Sequence, residues 1–291
     1  MDHPIYPLFT GCATALVTPF LPDGQLDLSA LRRLIALQTD AGIDALVLLG
    51  TTGEPCTLSM QEREQIIRTG IDAAQGTPVI VGTGSSDTRL SVEFARQAAS
   101  LGAAGQLCVT PYYNKCTESG LIRHYTTIMD SSALPLIAYS VPSRTGMRLS
   151  AAAAGELSAH PLFAGVKDAC GDISFSADLL IAAPAVYCGN DDQTLPLMAM
   201  GASGVISVIS NLLPKETKAL TDACLSGDYA SARVMHERLL PIARALFFQV
   251  NPIPIKAALA SRGLIHDSLR LPLTPMEEPH RSRLMQLMES I

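Results

Sequence analysis

Leu162-Phe163-Ala164-Gly165-Val166-Lys167-Asp168-Ala169 is an apolar run of strand length with a lysine set inside it. A run of this kind reads as a buried parallel strand, covered on both faces. An ammonium is out of place there. Burial disfavours the charged form and can lower a lysine pKa by roughly 3–5 units, leaving a neutral amine that attacks carbonyls. The structural alternative is a strand-end lysine that reaches along the chain to solvent or pairs with Asp168. Taken alone, the strand favours the structural alternative, so its surroundings must decide.

Outward from this strand, short β-rich runs alternate with helical patterns. Before it come strands at Ala13–Thr18, Ala45–Leu49, Pro78–Val81, Gln106–Val109 and Leu136–Tyr139; after it come Val186–Cys188 and Gly204–Ile209. Between them the helix-start chemistry is explicit. Asp27 and Ser29 offer caps ahead of an apolar face at Leu31, Leu34, Ile35 and Leu37, Ser59-Met60-Gln61-Glu62 has the form of a capping box, and Ser150 precedes an alanine-rich helix. Further helices are expected from about Asp87, from about Glu118 and around Lys215–Leu225. Eight such units, each about 25–30 residues long, predict a closed parallel (β/α)8 TIM barrel over residues 1–227. An open doubly wound sheet is the alternative, but the chain has neither a strand-associated GxGxxG nor GxxxxGK[ST]. From about Asp228 the β signal stops. Residues 228–291 read as a C-terminal helical appendage, with helices at Tyr229–Phe248, Pro254–Ser261 and Met276–Glu289, suited to capping the barrel or making subunit contacts.

Composition narrows the partners. The 291 residues are 48% hydrophobic and carry a net charge of −6 with no basic run, which argues against nucleic acid and a membrane surface as partners. No apolar run reaches the roughly 18 residues of a spanning helix. Met1-Asp2-His3-Pro4 lacks the start of a signal peptide, and the odd set of seven cysteines has no CxxC pair, so a cytoplasmic, reduced protein is expected. The six scattered histidines show no HxxxH or HExxH spacing, and no metal or other cofactor is expected.

A barrel gathers its chemistry at the C-terminal ends of the strands. The ends selected here are Thr51 and Thr52 after the second strand, Tyr112 and Tyr113 after the fourth, Tyr139 with Arg144 beyond it, Lys167, and Gly189-Asn190-Asp191. Each has a bland reading: turn glycines, packing tyrosines, a solvated arginine. Asp191 and Asp192 look like a helix N-cap rather than an acid–base pair. Convergence on one rim outweighs the separate readings. The chain has five lysines against sixteen arginines, and Lys167 alone falls in a predicted strand. An amine beside tyrosine and threonine hydroxyls suits imine formation followed by proton transfer at the adjacent carbon.

Four segments together carry a resemblance: Gly50-Thr51-Thr52-Gly53-Glu54, Val109-Thr110-Pro111-Tyr112-Tyr113-Asn114, Tyr139-Ser140-Val141-Pro142-Ser143-Arg144-Thr145-Gly146 and Gly165-Val166-Lys167, with Asn251-Pro252-Ile253-Pro254 in the tail. The chain resembles the pyruvate-dependent Schiff-base lyases of the dihydrodipicolinate synthase / N-acetylneuraminate lyase superfamily, over nearly its whole length. The resemblance implies that Lys167 condenses with pyruvate and that the resulting enamine attacks L-aspartate 4-semialdehyde, in diaminopimelate and L-lysine biosynthesis. Tyr139 would transfer protons at the imine. Thr51 would link it to Tyr113, which reaches in from a neighbouring subunit of a homotetramer. Thr52 and the backbone at Ile206 would hold the pyruvate carboxylate, Gly189 would line the pocket, and Arg144 would bind the carboxylate of the semialdehyde. Sialic acid lyases and sugar-acid aldolases, which share the lysine and tyrosine, are the sibling alternative; a catalytically silent binding relative is the other. Two departures from the family pattern are Ser140 in place of asparagine and Asp168 in place of glutamate.

The same resemblance bears on regulation. In lysine-inhibited members polar side chains near the Thr-Thr-Gly-Glu loop bind the effector at a subunit interface. The aligned positions here are Pro55, Cys56, Met60, Arg63, Ser86 and Leu90, with Tyr112 retained. Leucine at 90 offers no carboxylate to an ammonium, so weak or absent inhibition by L-lysine is expected.

Overall fold

The computed structural model describes residues 7–289; Met1-Asp2-His3-Pro4 lies outside the described residues, as do residues 290 and 291. Eight strands close into a parallel barrel in sequence order: β1 Gly11–Ala15, β2 Ala45–Leu48, β3 Val79–Gly82, β4 Gly105–Val109, β5 Leu136–Ser140, β6 Phe163–Asp168, β7 Val186–Cys188 and β8 Gly204–Ser207. Closure runs through Gly11↔Gly204, Cys12↔Val205, Ala13↔Ile206 and Thr14↔Ser207. Helices follow the strands: α1 Leu28–Asp40, α2 Met60–Ala73, α3 Thr88–Ser100, α4 Glu118–Ser132, α5 Pro142–Thr145, α6 Ala151–Leu157, α7 Ile173–Ala182, α8 Thr194–Ala199 and α9 Pro214–Leu225. The expected caps form. Asp27 caps α1, Ser150 caps α6, and Ser59 with Glu62 completes the capping box of α2; α3 begins where expected, and Asp87 proves to be its cap.

Strand ends fall within a few residues of expectation, and the differences have local causes. The first strand stops at Ala15 because loop groups then replace the ladder. Val17 N–H donates to Asn211 Oδ1 and the Thr18 hydroxyl donates to the Gly53 carbonyl. The short α5 is an addition to the expected elements. Proline at its first position and Gly146 at φ +66 just past its end start and stop it within one turn.

The barrel interior is filled by small, aliphatic and aromatic side chains together. Ala13, Ala15, Ala45 and Ala164 leave room for Tyr187, whose ring stacks on Phe9 at 4.4 Å and whose hydroxyl donates to the Phe9 carbonyl. This plug sits at the N-terminal end and leaves the opposite rim open.

β6 contains the detail that matters most. Side chains alternate along a strand, so Ala164 and Lys167, three apart, should face opposite sides. They do not. The β5–β6 register jumps from Leu136↔Phe163 to Ile137↔Gly165, so one residue of β6 is bulged out of the count. Ala164 then packs inside the barrel, Val166 packs outside, and Lys167 returns to the inside opposite Tyr139. Glycine is required at the bulge. Gly165 has φ +131, and a Cβ there would lie 2.3 Å from the Ala185 carbonyl oxygen.

The appendage consists of α10 Tyr229–Ala245, α11 Ile253–Ser261 and α12 Glu278–Met288. Its core is continuous with that of the barrel, since Leu239, Ile242, Ala257 and Leu284 belong to one buried cluster with Leu31 and Leu46. Among the described residues no helix is long and apolar enough to cross a membrane.

Gly165→Ala should destabilise the fold by roughly 2–4 kcal/mol, through a positive φ and a clash with backbone that cannot move away. Urea denaturation measures this. Wild-type stability together with wild-type turnover would show that the bulge is dispensable.

Candidate active site

A cavity of about 720 Å³ opens at the C-terminal rim of the barrel, lined by Thr51, Thr52, Tyr139, Arg144, Lys167 and Gly189 among others. Lys167 is 5% exposed and its Nζ lies 4.4 Å from the centre of the Tyr139 ring. Desolvation pulls its pKa down to about 8; the negative charge of Asp191 pushes the other way, and Arg144 adds to the lowering. A free amine is therefore within reach near neutral pH. Asp168 is not its partner. That side chain faces the outside of the barrel, accepting from Ser176 Oγ at 2.6 Å and from Cys170 N at 3.0 Å.

Tyr139, one strand away, is pushed above the ordinary phenol range by burial, against the lowering influences of Arg144 and a hydrogen bond with the Thr51 side chain. It stays a neutral proton donor at physiological pH. Thr51 and Thr52 sit in a one-turn 3-10 helix, Thr51–Gly53, directly after β2. Thr52 is buried and its Oγ1 accepts from Asn251 Nδ2 at 3.0 Å. Gly189 lines the cavity because nothing larger fits: a Cβ would lie 2.8 Å from the Asp168 carbonyl oxygen.

Arg144 is carried by α5, which Thr145 pins in place; its Oγ1 accepts from Thr110 Oγ1 at 3.0 Å. The guanidinium donates to the Asn251 carbonyl at 3.0 Å and otherwise faces the opening. The outer wall belongs to the appendage. α10 ends at Ala245, short of the expected Phe248, and the freed segment Phe247 to Asn251 crosses the rim. A buried ion pair anchors this arrangement. Lys256 Nζ on α11 meets Glu54 Oε1 at 2.5 Å and donates to the Thr18 carbonyl at 3.0 Å, with Lys256 fully buried and Glu54 4% exposed.

Three positions differ from the sequence reading or qualify it. Asp191 is no exposed N-cap. It is buried at 7% exposure, its Oδ2 accepts from Val208 N and Ile209 N at 2.9 Å each, and burial raises its pKa. Asp192 beside it is exposed. The sequence carried no signal for this, because the partners lie on the loop after β8. Ile206 is fully buried inside the barrel and does not line the cavity, whereas Val208 does. Tyr113 lies away from the cavity of its own chain. It is 98% exposed at φ +63. Ser140 and Asp168, the two departures from the family pattern, face the helices outside the barrel; Ser140 Oγ accepts from Leu149 N at 3.2 Å.

Fold and rim define a (β/α)8-barrel enzyme that sets a desolvated amine beside a neutral phenol. Comparison with known proteins supplies the family. A profile of the dihydrodipicolinate synthetase family matches residues 8–291. A 4-hydroxy-tetrahydrodipicolinate synthase from an Exiguobacterium species is 49% identical, over 97% of this chain and 98% of its own. Two crystal structures superpose at a TM-score of 0.95 with 40% identity: the dihydrodipicolinate synthase of Thermotoga maritima, covering 97% of this chain and 99% of its own, and the chloride-inhibited enzyme of Acinetobacter baumannii complexed with pyruvate, covering 97% and 98%. The chain belongs to the dihydrodipicolinate synthetase family and is a lyase.

The charges around Lys167 give a pH test. A lysine that attacks a carbonyl must be the free amine, so a catalytic role for Lys167 requires activity to rise as pH increases through about 8. Asp191→Asn removes the largest charge that favours the ammonium, so the rise should move to lower pH. An unmoved profile, or one moved to higher pH, contradicts this electrostatic reading.

Proposed function

We propose that the enzyme condenses pyruvate with L-aspartate 4-semialdehyde through an imine on Lys167, the 4-hydroxy-tetrahydrodipicolinate synthase reaction. The observation that carries the proposal is the Lys167 amine, buried and depressed to about pH 8, in one cavity with Tyr139 and Arg144. The similar enzyme of Acinetobacter baumannii, crystallised with pyruvate, supports the first substrate.

The amine attacks the pyruvate carbonyl, and the imine forms with loss of one water. Tyr139 donates the proton that the departing hydroxyl needs and afterwards takes one up, its deprotonated form being eased by Arg144 and Thr51. Loss of a methyl proton gives the enamine, whose carbon attacks the aldehyde. The amino group of the semialdehyde then closes the ring on the imine carbon and releases Lys167. Thr52 holds the pyruvate carboxylate, with Gly189 and Val208, just past β8, closing that side. Arg144 takes the second carboxylate through paired N–H groups, a geometry lysine lacks. No metal or organic cofactor enters this route.

Tyr113 completes the relay from a neighbouring subunit. Its full exposure and left-handed backbone in this chain suit a residue presented outward, in a homotetramer. Residues 1–227 act as the catalytic barrel and 228–291 as the helical unit that closes its rim, in a cytoplasmic enzyme.

With both substrates present, Lys167→Ala should lose at least about 10³-fold in kcat, because among the described residues no other lysine lines the cavity. Arg144→Ala should raise KM for the semialdehyde about 10- to 100-fold, the worth of a charge-assisted hydrogen-bond pair. Efficient cleavage of N-acetylneuraminate, without turnover of the semialdehyde, would transfer the chain to the sialic acid lyases.

L-Lysine should inhibit weakly or not at all. Arg63 is buried beneath Phe94, its guanidinium 3.7 Å from the ring centre and donating to the Gly82 carbonyl, and Leu90 presents no charge. Half-inhibition at sub-millimolar L-lysine in a steady-state assay would contradict this.

A further inference from the structure

We infer that Asn251 is a positioning residue for pyruvate: its amide aims the Thr52 hydroxyl so that the hydroxyl donates into the cavity, toward the substrate carboxylate. The inference rests on the role given to Thr52 above and assigns the appendage a part in substrate binding.

A threonine hydroxyl has one proton and two lone pairs, and it rotates to suit its neighbours. Asn251 Nδ2 donates to Thr52 Oγ1 at 3.0 Å, between residues that are 6% and 2% exposed. That bond occupies an acceptor site of the oxygen from the appendage side. Among the described residues nothing accepts the Thr52 proton in return, and Thr52 lines the cavity. The proton therefore points where an anionic ligand would sit. The amide Oδ1 is buried without a partner. As placed, the amide leaves Oδ1 and one N–H without partners; turned over, it would leave both N–H groups without acceptors, the less favourable choice because buried N–H groups are orphaned more rarely than carbonyl oxygens.

The backbone of the same residue does a different job. The Asn251 carbonyl accepts from Arg144 Nη2 at 3.0 Å. One residue thus touches the groups assigned to both substrate carboxylates, by its side chain on the pyruvate side and by its main chain on the semialdehyde side. Lys256, five residues on, locks this register to the loop through Glu54, two residues after Thr52.

This division predicts a split that a merely structural residue would not give. Asn251→Asp cannot donate; Thr52 would turn its proton to the new carboxylate, which also repels pyruvate. Its KM for pyruvate should rise about 10- to 100-fold, as for loss of a hydrogen bond to a charged group, with KM for the semialdehyde within about 3-fold of wild type. Asn251→Ala frees the hydroxyl to rotate without reversing it, so its pyruvate KM should rise less, about 3- to 10-fold. In a Thr52→Val background, Asn251→Ala should add nothing. Parallel rises for both substrates, greater damage from alanine than from aspartate, or full additivity with Thr52→Val would each overturn the inference. Wild-type enzyme that turns over both substrates, with variants lacking this pattern, rejects the positioning role alone. Wild-type enzyme that does not use pyruvate rejects the function and this inference together.

Discussion

An amine that must be both buried and aimed inward is the constraint on which the rest of this structure depends. Burial alone lowers the Lys167 pKa, but a regular strand would have carried the side chain to the outside of the barrel. The bulge around Ala164 and Gly165 changes the count by one and brings Lys167 to face Tyr139. The conformation is possible because Gly165 has no Cβ to meet the Ala185 carbonyl. The Gly-Val-Lys segment is thus a single device in which the glycine turns the strand and the lysine uses the turn.

Around the amine, charge is placed so that neither protonation state is costly. Burial favours the neutral form, as the attack on a carbonyl requires. Asp191, itself buried and held by two backbone N–H groups of the β8 loop, favours the cation that an imine becomes on protonation. The pull of Arg144 and Thr51 on the Tyr139 phenol eases proton transfer without ionising it at rest. The appendage belongs to this arrangement rather than standing apart from it. Phe247 to Asn251 form the outer wall, and the buried Lys256–Glu54 pair ties that wall to the loop bearing Thr51 and Thr52. Breaking such a pair strands a buried charge, which gives the two elements a fixed mutual position.

Much of this was legible in the sequence. Strand-and-helix alternation gave the barrel, and caps such as Asp27, Ser59 and Ser150 fixed helix starts because a cap is a local interaction written in adjacent residues. Lys167, Tyr139, Thr51, Thr52, Arg144 and Gly189 do meet in one cavity, since strand ends in a barrel converge by geometry. What escaped the sequence depends on distant partners. Asp191 looked like a cap beside Asp192, and only the backbone of Val208 and Ile209, on another strand's loop, makes it a desolvated carboxylate. The bulge at Gly165 is a matter of register against β5, invisible in β6 alone. Asn251 stood in a recognisable Asn-Pro-Ile-Pro segment, yet its contacts to Thr52 and Arg144 span 199 and 107 residues of chain.

The central claim is that Lys167 forms a covalent imine with pyruvate. Borohydride reduction in the presence of pyruvate, followed by proteolysis and mass mapping, tests it most directly. One reduced pyruvate adduct per chain, on the peptide containing Lys167 and absent from Lys167→Ala, is the predicted result. An unmodified Lys167 peptide, or an adduct on another lysine such as Lys115, would contradict it.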